Sequence, residues 1–352
     1  MQSVNTHERQ QDKTVLIPLN THILVNTRPF EYHFEKTESI IRNRRDFRMN
    51  TINKKNEIDI IGVQIDFGAS QKGVAMGPLS IRYAGLKPSL RAMGYNVHDK
   101  GDIIPPEDGM SLRNMIRFEQ VNATNKELYD AVTDTLDKGH FPLVLGGDHS
   151  IAAGSVSAVA KHYEGEGEIG IIWIDAHGDW NSDKSTVSGN MHGMPYSAVC
   201  GWGPSSMVDF GQDPHYVSTA HCVQVAGHDF DKAEAERMKE AGMTVFPITD
   251  VDTRGMYEVM KDAIKIAGEG TVGIHLSFDV DAITPEYAPG TGTPVPNGIT
   301  AREAFLAAEM IADSGKLISM DLVEVNPILD ERNKTGILAS DIIQLALGKK
   351  VY

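Results

Sequence analysis

Between Asp175 and His192 the chain reads DAHGDWNSDKSTVSGNMH. Asp175, His177 and Asp179 place acid, imidazole and acid at every second residue. Alternate side chains of extended or tightly turning backbone point the same way, so these three can converge. The segment before them, EIGIIWI (168–174), is an apolar, β-branched run that reads as a buried strand. Charge gathered at the end of a buried strand is costly unless a cation or a substrate compensates it. Three more segments repeat the arrangement: GGDH (146–149) follows FPLVL (141–145), FDVD (278–281) ends TVGIHLSF (271–278), and Glu324 lies late in KLISMDLVEV (316–325). The carboxyl ends of parallel strands lie along one sheet edge, where open α/β proteins bind ligands. These residues are therefore expected to meet in space.

His149, Asp175, His177, Asp179, Asp279 and Asp281 offer four carboxylates and two imidazoles, with no thiolate. That set is too large for an ordinary catalytic zinc and suits two hard or borderline divalent ions, whose charge balances the four acids. Mn²⁺ fits the ligand hardness best, and Fe²⁺, Co²⁺, Ni²⁺ or Zn²⁺ are compatible. Two such ions roughly 3.5–4 Å apart can hold a bridging water and bring its pKa near neutrality, supplying a hydroxide nucleophile. The chemistry expected is hydrolysis. Asp148 reads as a cap or support, His228 and His275 as packing or hydrogen-bonding residues, and Trp173 and Trp180 as core or wall.

The elements that must carry these residues alternate strand and helix. Strands are expected at 58–66, 95–103, 141–145, 168–174, 222–227, 243–248, 271–278 and 316–325. Helices are expected at 79–93, broken by Gly85 and Pro88, then at 125–138, 150–163, 231–241, 255–267, 301–313 and 337–347. Most of the strands are apolar throughout, which indicates a mainly parallel sheet covered on both faces. The fold expected is a single three-layer α/β/α domain over residues 57–352.

Residues 1–56 are basic and polar without a sustained period, and read as a loosely docked or disordered extension. Arg44-Arg45 could be encoded AGG-AGG, a ribosome-binding sequence shortly ahead of Met49, which would make Met49 the native first residue.

With 48 acids against 33 bases the formal charge is −15, and no basic run gives a nucleic-acid footprint. Nothing approaches a membrane span or an apolar signal core. Cys200 and Cys222 are the two cysteines and read as buried free thiols rather than a disulfide. A cytoplasmic protein with neither nucleic-acid nor membrane partners is expected.

Six ordered motifs together resemble the ureohydrolase family, and within it the bacterial arginases: GGDHS (146–150), DAHGDWN (175–181), SGNMHGMP (188–195), SFDVD (277–281), APGTGTPV (288–295) and EVNPILDERNKT (324–335). The resemblance spans about Ile58 to Leu347. It implies an arginase-like fold, two Mn²⁺ per subunit, and cleavage of a guanidino substrate, arginine, to urea and ornithine. By the family pattern one ion takes His149, Asp175, Asp179 and Asp279, and the other takes His177, Asp175, Asp279 and Asp281. His192 is implied as proton shuttle, Asp179 as proton carrier to the leaving nitrogen, and Glu324 as the acceptor that orients the guanidinium. Asn181, Thr186 and Ser188, with Asn190 nearby, match positions that hold the α-carboxylate. Asp231, or Asp229 if the alignment slips, matches the residue for the α-amino group. A homotrimer or homohexamer is implied.

Two segments depart from the family pattern. AGHDFD (226–231) lacks an arginine, and Ala282-Ile283-Thr284-Pro285 stands where Gly-Leu-Asp-Pro is usual. The outer pocket thus leaves other ureohydrolase substrates open: agmatine, guanidinobutyrate, guanidine or formiminoglutamate. A binuclear phosphoesterase is disfavoured, because Lys184 is the one base within 175–192.

Overall fold

The computed structural model describes residues 56–211 and 213–350. The expectations for the first 55 residues lie outside the described residues. Eight strands form one sheet: β1 (Glu57–Val63), β2 (Asn96–Ile103), β3 (Phe141–Leu145), β4 (Gly170–Ile174), β5 (Cys222–Val225), β6 (Thr244–Phe246), β7 (Ile274–Asp279) and β8 (Leu317–Val323). Their order is β2-β1-β3-β8-β7-β4-β5-β6, and every pair is parallel.

Side-chain alternation divides each strand between two cores. From β1, Ile58 and Ile60 join one face, together with Leu143, Leu276 and Leu322. Ile61 and Val63 join the other, with Val144, Ile171 and Trp173. The first face is covered by α1 (Gly77–Tyr83), α2 (Leu86–Ala92), α7 (Ile248–Gly268), α8 (Ala301–Ser314) and α9 (Lys334–Ala346). The second is covered by α3 (Phe118–Asp137), α4 (Ala152–Tyr163), the short α5 (Pro195–Val199) and α6 (Lys232–Glu240). The three-layer, parallel architecture expected from the strand pattern is the one observed.

Differences lie at element ends. Residues 64–66 and 324–325 leave the sheet as loops, since here the chain turns toward the carboxyl edge. The helix expected at 79–93 is two helices, parted at Gly85, whose φ of 83° lies in the left-handed region; Pro88 is accommodated in the first turn of α2. α3 starts seven residues earlier than expected, at Phe118, because its buried stripe includes the polar residues Gln120, Thr124 and Asn125. α7 runs from Ile248 but breaks at Gly255 (φ 77°), where the sequence pattern begins its helix. Cys200 and Cys222 are free, with Sγ atoms 3.5 Å apart. Among the described residues no helix is long and apolar enough to cross a membrane.

Candidate metal centre and active-site cavity

β3, β8, β7 and β4 are consecutive in the sheet, and their carboxyl ends deliver His149, Glu324, Asp279 and Asp175 respectively. After β3 the chain makes a tight turn at Gly146-Gly147. A Cβ on Gly147 would sit 1.8 Å from the Ile65 carbonyl oxygen, so no side chain fits there. Asp148 then caps a short 3₁₀ turn by accepting from the Ser150 N–H at 3.1 Å, which presents His149 inward. Asp179 (φ 48°) and Glu324 (φ 65°) both hold left-handed backbone. For residues other than glycine this costs about 1–3 kcal/mol and clusters where function fixes geometry.

The six residues expected as ligands do come together. His149 Nδ1 lies 3.0 Å from Asp175 Oδ2, 3.0 Å from Asp179 Oδ2 and 3.2 Å from Asp279 Oδ2. His177 Nδ1 lies 3.1 Å from Asp281 Oδ2 and 3.4 Å from Asp175 Oδ1. Ligand atoms thus gather in two groups, His149/Asp175/Asp279 and Asp175/His177/Asp281, sharing Asp175.

The surroundings fix these side chains. His149 Nε2 meets Ser277 Oγ at 2.8 Å, leaving Nδ1 facing the acids. Asp175 accepts from Trp173 Nε1 at 2.9 Å and from the His177 N–H at 2.7 Å. Asp279 accepts from the Asp281 N–H at 2.8 Å, and Asp281 accepts from Thr293 Oγ1 at 2.9 Å. His149 stacks on Trp173 at 4.1 Å, and Trp173 on Tyr196 at 4.4 Å.

Two observations show that the donor set fits cations. First, His149 Nδ1, Asp179 Oδ2 and Glu324 Oε2 are buried without an aligned hydrogen-bond partner, although the first two are 3.0 Å apart. Buried polar atoms left so are rare in native proteins. Second, the centre demands protons. Burial depresses the His149 imidazole, yet the carboxylates of Asp175, Asp179 and Asp279 outweigh it and hold the group well above its ordinary value. His177 behaves alike: burial opposes, and Asp281 and Asp175 prevail. Burial, then Asp281 and Asp175, push Asp279 well up; burial, then Asp175, push Asp179 to about 7. Asp175 alone goes down, because His149 and His177 outweigh its burial. Groups that hold protons this firmly exchange them for a metal ion when one binds.

Glu324 Oε1 accepts from the His149 N–H at 3.0 Å and meets His192 Nδ1 at 2.9 Å. Burial lowers the His192 value, but Glu324 outweighs it and raises the group to about 9. Above the centre opens a cavity of about 230 Å³, lined by His177, Asp179, Asn181, Ser188, His192, Asp229, Asp231, Glu234, Asp279, Asp281 and Thr293 among others. Asn181 Nδ2 donates to Asp231 Oδ2 at 3.2 Å, so these two expected contacts are joined. Both Asp229 and Asp231 line the space. Thr186 and Asn190 do not: Thr186 Oγ1 accepts from the Gly189 N–H at 3.0 Å, and Asn190 Oδ1 accepts from Ser70 Oγ at 2.9 Å, which closes the loop that carries Ser188.

Glu234 is a lining residue that sequence reasoning missed. It is 3% exposed, accepts from the Trp180 N–H at 2.8 Å and the Asp231 N–H at 3.3 Å, and burial raises it to about 8. Its available signal was the Asp-x-x-Glu capping pattern at 231–234, ahead of α6.

Fold and site together define a metal-binding α/β enzyme whose ligand residues follow the parallel strands β3, β7 and β4, with Glu324 from β8 set among them. The description of the Arginase family matches residues 56–348, and the chain belongs to that family. It is 42% identical over 296 residues to the arginase of Brevibacillus brevis, a match covering 84% of this chain and 98% of that one. The structure of the Bacillus caldovelox arginase superposes with a TM-score of 0.81 at 41% identity, covering 84% of this chain and 99% of that one. That of the Entamoeba histolytica arginase in complex with L-ornithine gives 0.78 at 31% identity, covering 84% and 99%.

Proposed function

We propose that the chain hydrolyses L-arginine to L-ornithine and urea at a pair of divalent cations, with residues 57–352 as the catalytic domain. The observation that carries this reading is the pair of His/Asp groups sharing Asp175 beneath an acid-lined cavity. His149, Asp175, Asp179 and Asp279 would hold one ion, and His177, Asp175, Asp279 and Asp281 the other. Mn²⁺ is the ion the carboxylate-rich set favours. When bound, the pair supplies charge that balances the acids and brings the pKa of a shared water near neutrality.

The remaining chemistry belongs to side chains. Glu324 Oε2, buried and unpaired, is free to accept from a guanidinium N–H and orient the planar cation. Attack by water makes the guanidinium carbon tetrahedral, and its collapse needs one proton on the leaving nitrogen. Asp179, in the cavity wall, carries that proton. His192, its Nδ1 toward Glu324, exchanges the next proton with solvent. The acid-rich wall of Asp229, Asp231 and Glu234 suits the substrate α-amino group, while Asn181 and Ser188 suit the carboxylate. A trimer or dimer of trimers in the cytoplasm is the proposed setting.

The test is urea release from arginine, agmatine, guanidinobutyrate and guanidine after separate loading with Mn²⁺ and Ni²⁺. Strong preference for arginine with Mn²⁺ is expected. Preference for another guanidino compound would overturn the substrate and point to residues 226–231 as the altered wall.

A further inference from the structure

At the opposite, amino-terminal edge of the sheet, three strands begin side by side. Glu57 is the first residue of β1, His98 is the third of β2, and His140 immediately precedes β3. The register places Asp59 beside His98 and Ile58 beside Phe141, so the starts of the strands are level. We propose that Glu57, His98 and His140 form a separate site for a divalent transition-metal ion of the zinc type.

The three side chains each offer one ligand atom, and these atoms lie within 4.8 Å of one another. His98 Nε2 is 2.6 Å from Glu57 Oε2, and the His98 and His140 rings are nearly parallel (13°) with centroids 5.2 Å apart. Asn96 Nδ2 also donates to Glu57 Oε2, at 2.8 Å, and steadies the carboxylate.

The decisive feature lies behind the ligands. His140 Nδ1 is 2.8 Å from Asp59 Oδ1, and Asp59 is fully buried. The other Asp59 oxygen accepts from Thr135 Oγ1 at 3.1 Å and faces Lys100 Nζ at 3.3 Å. A buried carboxylate that takes the Nδ1 proton fixes the tautomer and turns the Nε2 lone pair outward, which is the usual support behind a metal-binding histidine. Asp59 is fully buried, and its side chain is held between His140, Thr135 and Lys100.

The donor set differs in kind from that of the central site. Two imidazoles and one carboxylate, partly open to solvent for a fourth ligand, suit a borderline ion such as Zn²⁺. The carboxylate-rich centre suits a harder one. A cation here would also tie the terminal strand β2 to β1 and β3 at their starts.

The test uses the full chain equilibrated with Zn²⁺, its metal content read by elemental mass spectrometry. Glu57→Ala and His98→Ala change partly exposed side chains remote from the catalytic edge. Both variants are expected to hold one ion per chain fewer than the unaltered protein, with urea release after Mn²⁺ loading unchanged. Asp59→Asn, with its fold checked by circular dichroism, is expected to weaken Zn²⁺ binding by about 10–100-fold. Equal zinc content in the parent protein and both alanine variants would overturn the proposal. A lost ion accompanied by lost urea release would assign that ion to the central site and overturn it as well.

Discussion

Replacing Asp279 by alanine removes a carboxylate whose Oδ2 lies 3.2 Å from His149 Nδ1 and whose Oδ1 steadies the Asp281 backbone at 2.8 Å. One substitution thus reaches both ligand groups, and metal content and urea release are expected to fall together. Turnover with two ions still bound would remove the bridging role. His192 offers the contrast, because its partner is Glu324 rather than a ligand set. His192→Ala should lower kcat by about 10²–10⁴, as loss of a proton-transfer group does, and leave the metal content as it was. Loss of metal in this variant would make His192 a ligand. That the six acid and imidazole side chains gather was legible in the chain, because charge placed directly after apolar strands has few structural uses. Glu234 was not, since Asp-x-x-Glu caps helices in many contexts, and it is the hydrogen bond from the Trp180 N–H that marks this one as turned inward.

At the scale of elements, the catalytic turn after β3 depends on how α3 meets α4. Asn125 of α3 donates to the Ser150 carbonyl at 3.0 Å and accepts from the Gly154 N–H at 3.0 Å. Ser150 and Gly154 flank the start of α4, next to His149. Asn125→Ala removes both bonds and takes the side-chain partner from the buried Gly154 N–H, while the Ser150 carbonyl keeps the Ala152 N–H; the expected cost is about 1–3 kcal/mol. The measurement is the urea unfolding midpoint of the metal-loaded protein, and an unchanged midpoint would show that water replaces both bonds. This contact also explains why α3 was read as starting late. A polar residue at 125 marks a boundary in a pattern of apolar positions, whereas here it faces inward and ties two helices. Strand identity was easier to read, since β3 and β4 are buried on both faces and thus apolar along their length. The break in α7 needed only Gly255 to mark it, but the turn of helix before it lacks a clear apolar period.

For the whole molecule, the central site links stability to both pH and metal. Asp179, raised from 3.8 to about 7, binds a proton in the folded chain that the unfolded chain has released across that interval. His192, raised from 6.5 to about 9, does the same at higher pH, and His149 and His177 shift the same way. Where the folded state binds more protons, stability falls as pH rises. These groups therefore add stability at low pH that is lost as pH climbs toward about 9. The opposite shift of Asp175 acts only below its ordinary value of 3.8, outside this range. Chelated protein should accordingly lose thermal stability from pH 5 to pH 9. A bound cation competes with those protons, so its stabilisation grows as they leave. The difference in Tm between Mn²⁺-loaded and chelated protein is expected to widen steadily over the same range. A gap that stays constant with pH would mean that the buried acids and imidazoles do not exchange protons for metal, and the reading of the centre would fail with it.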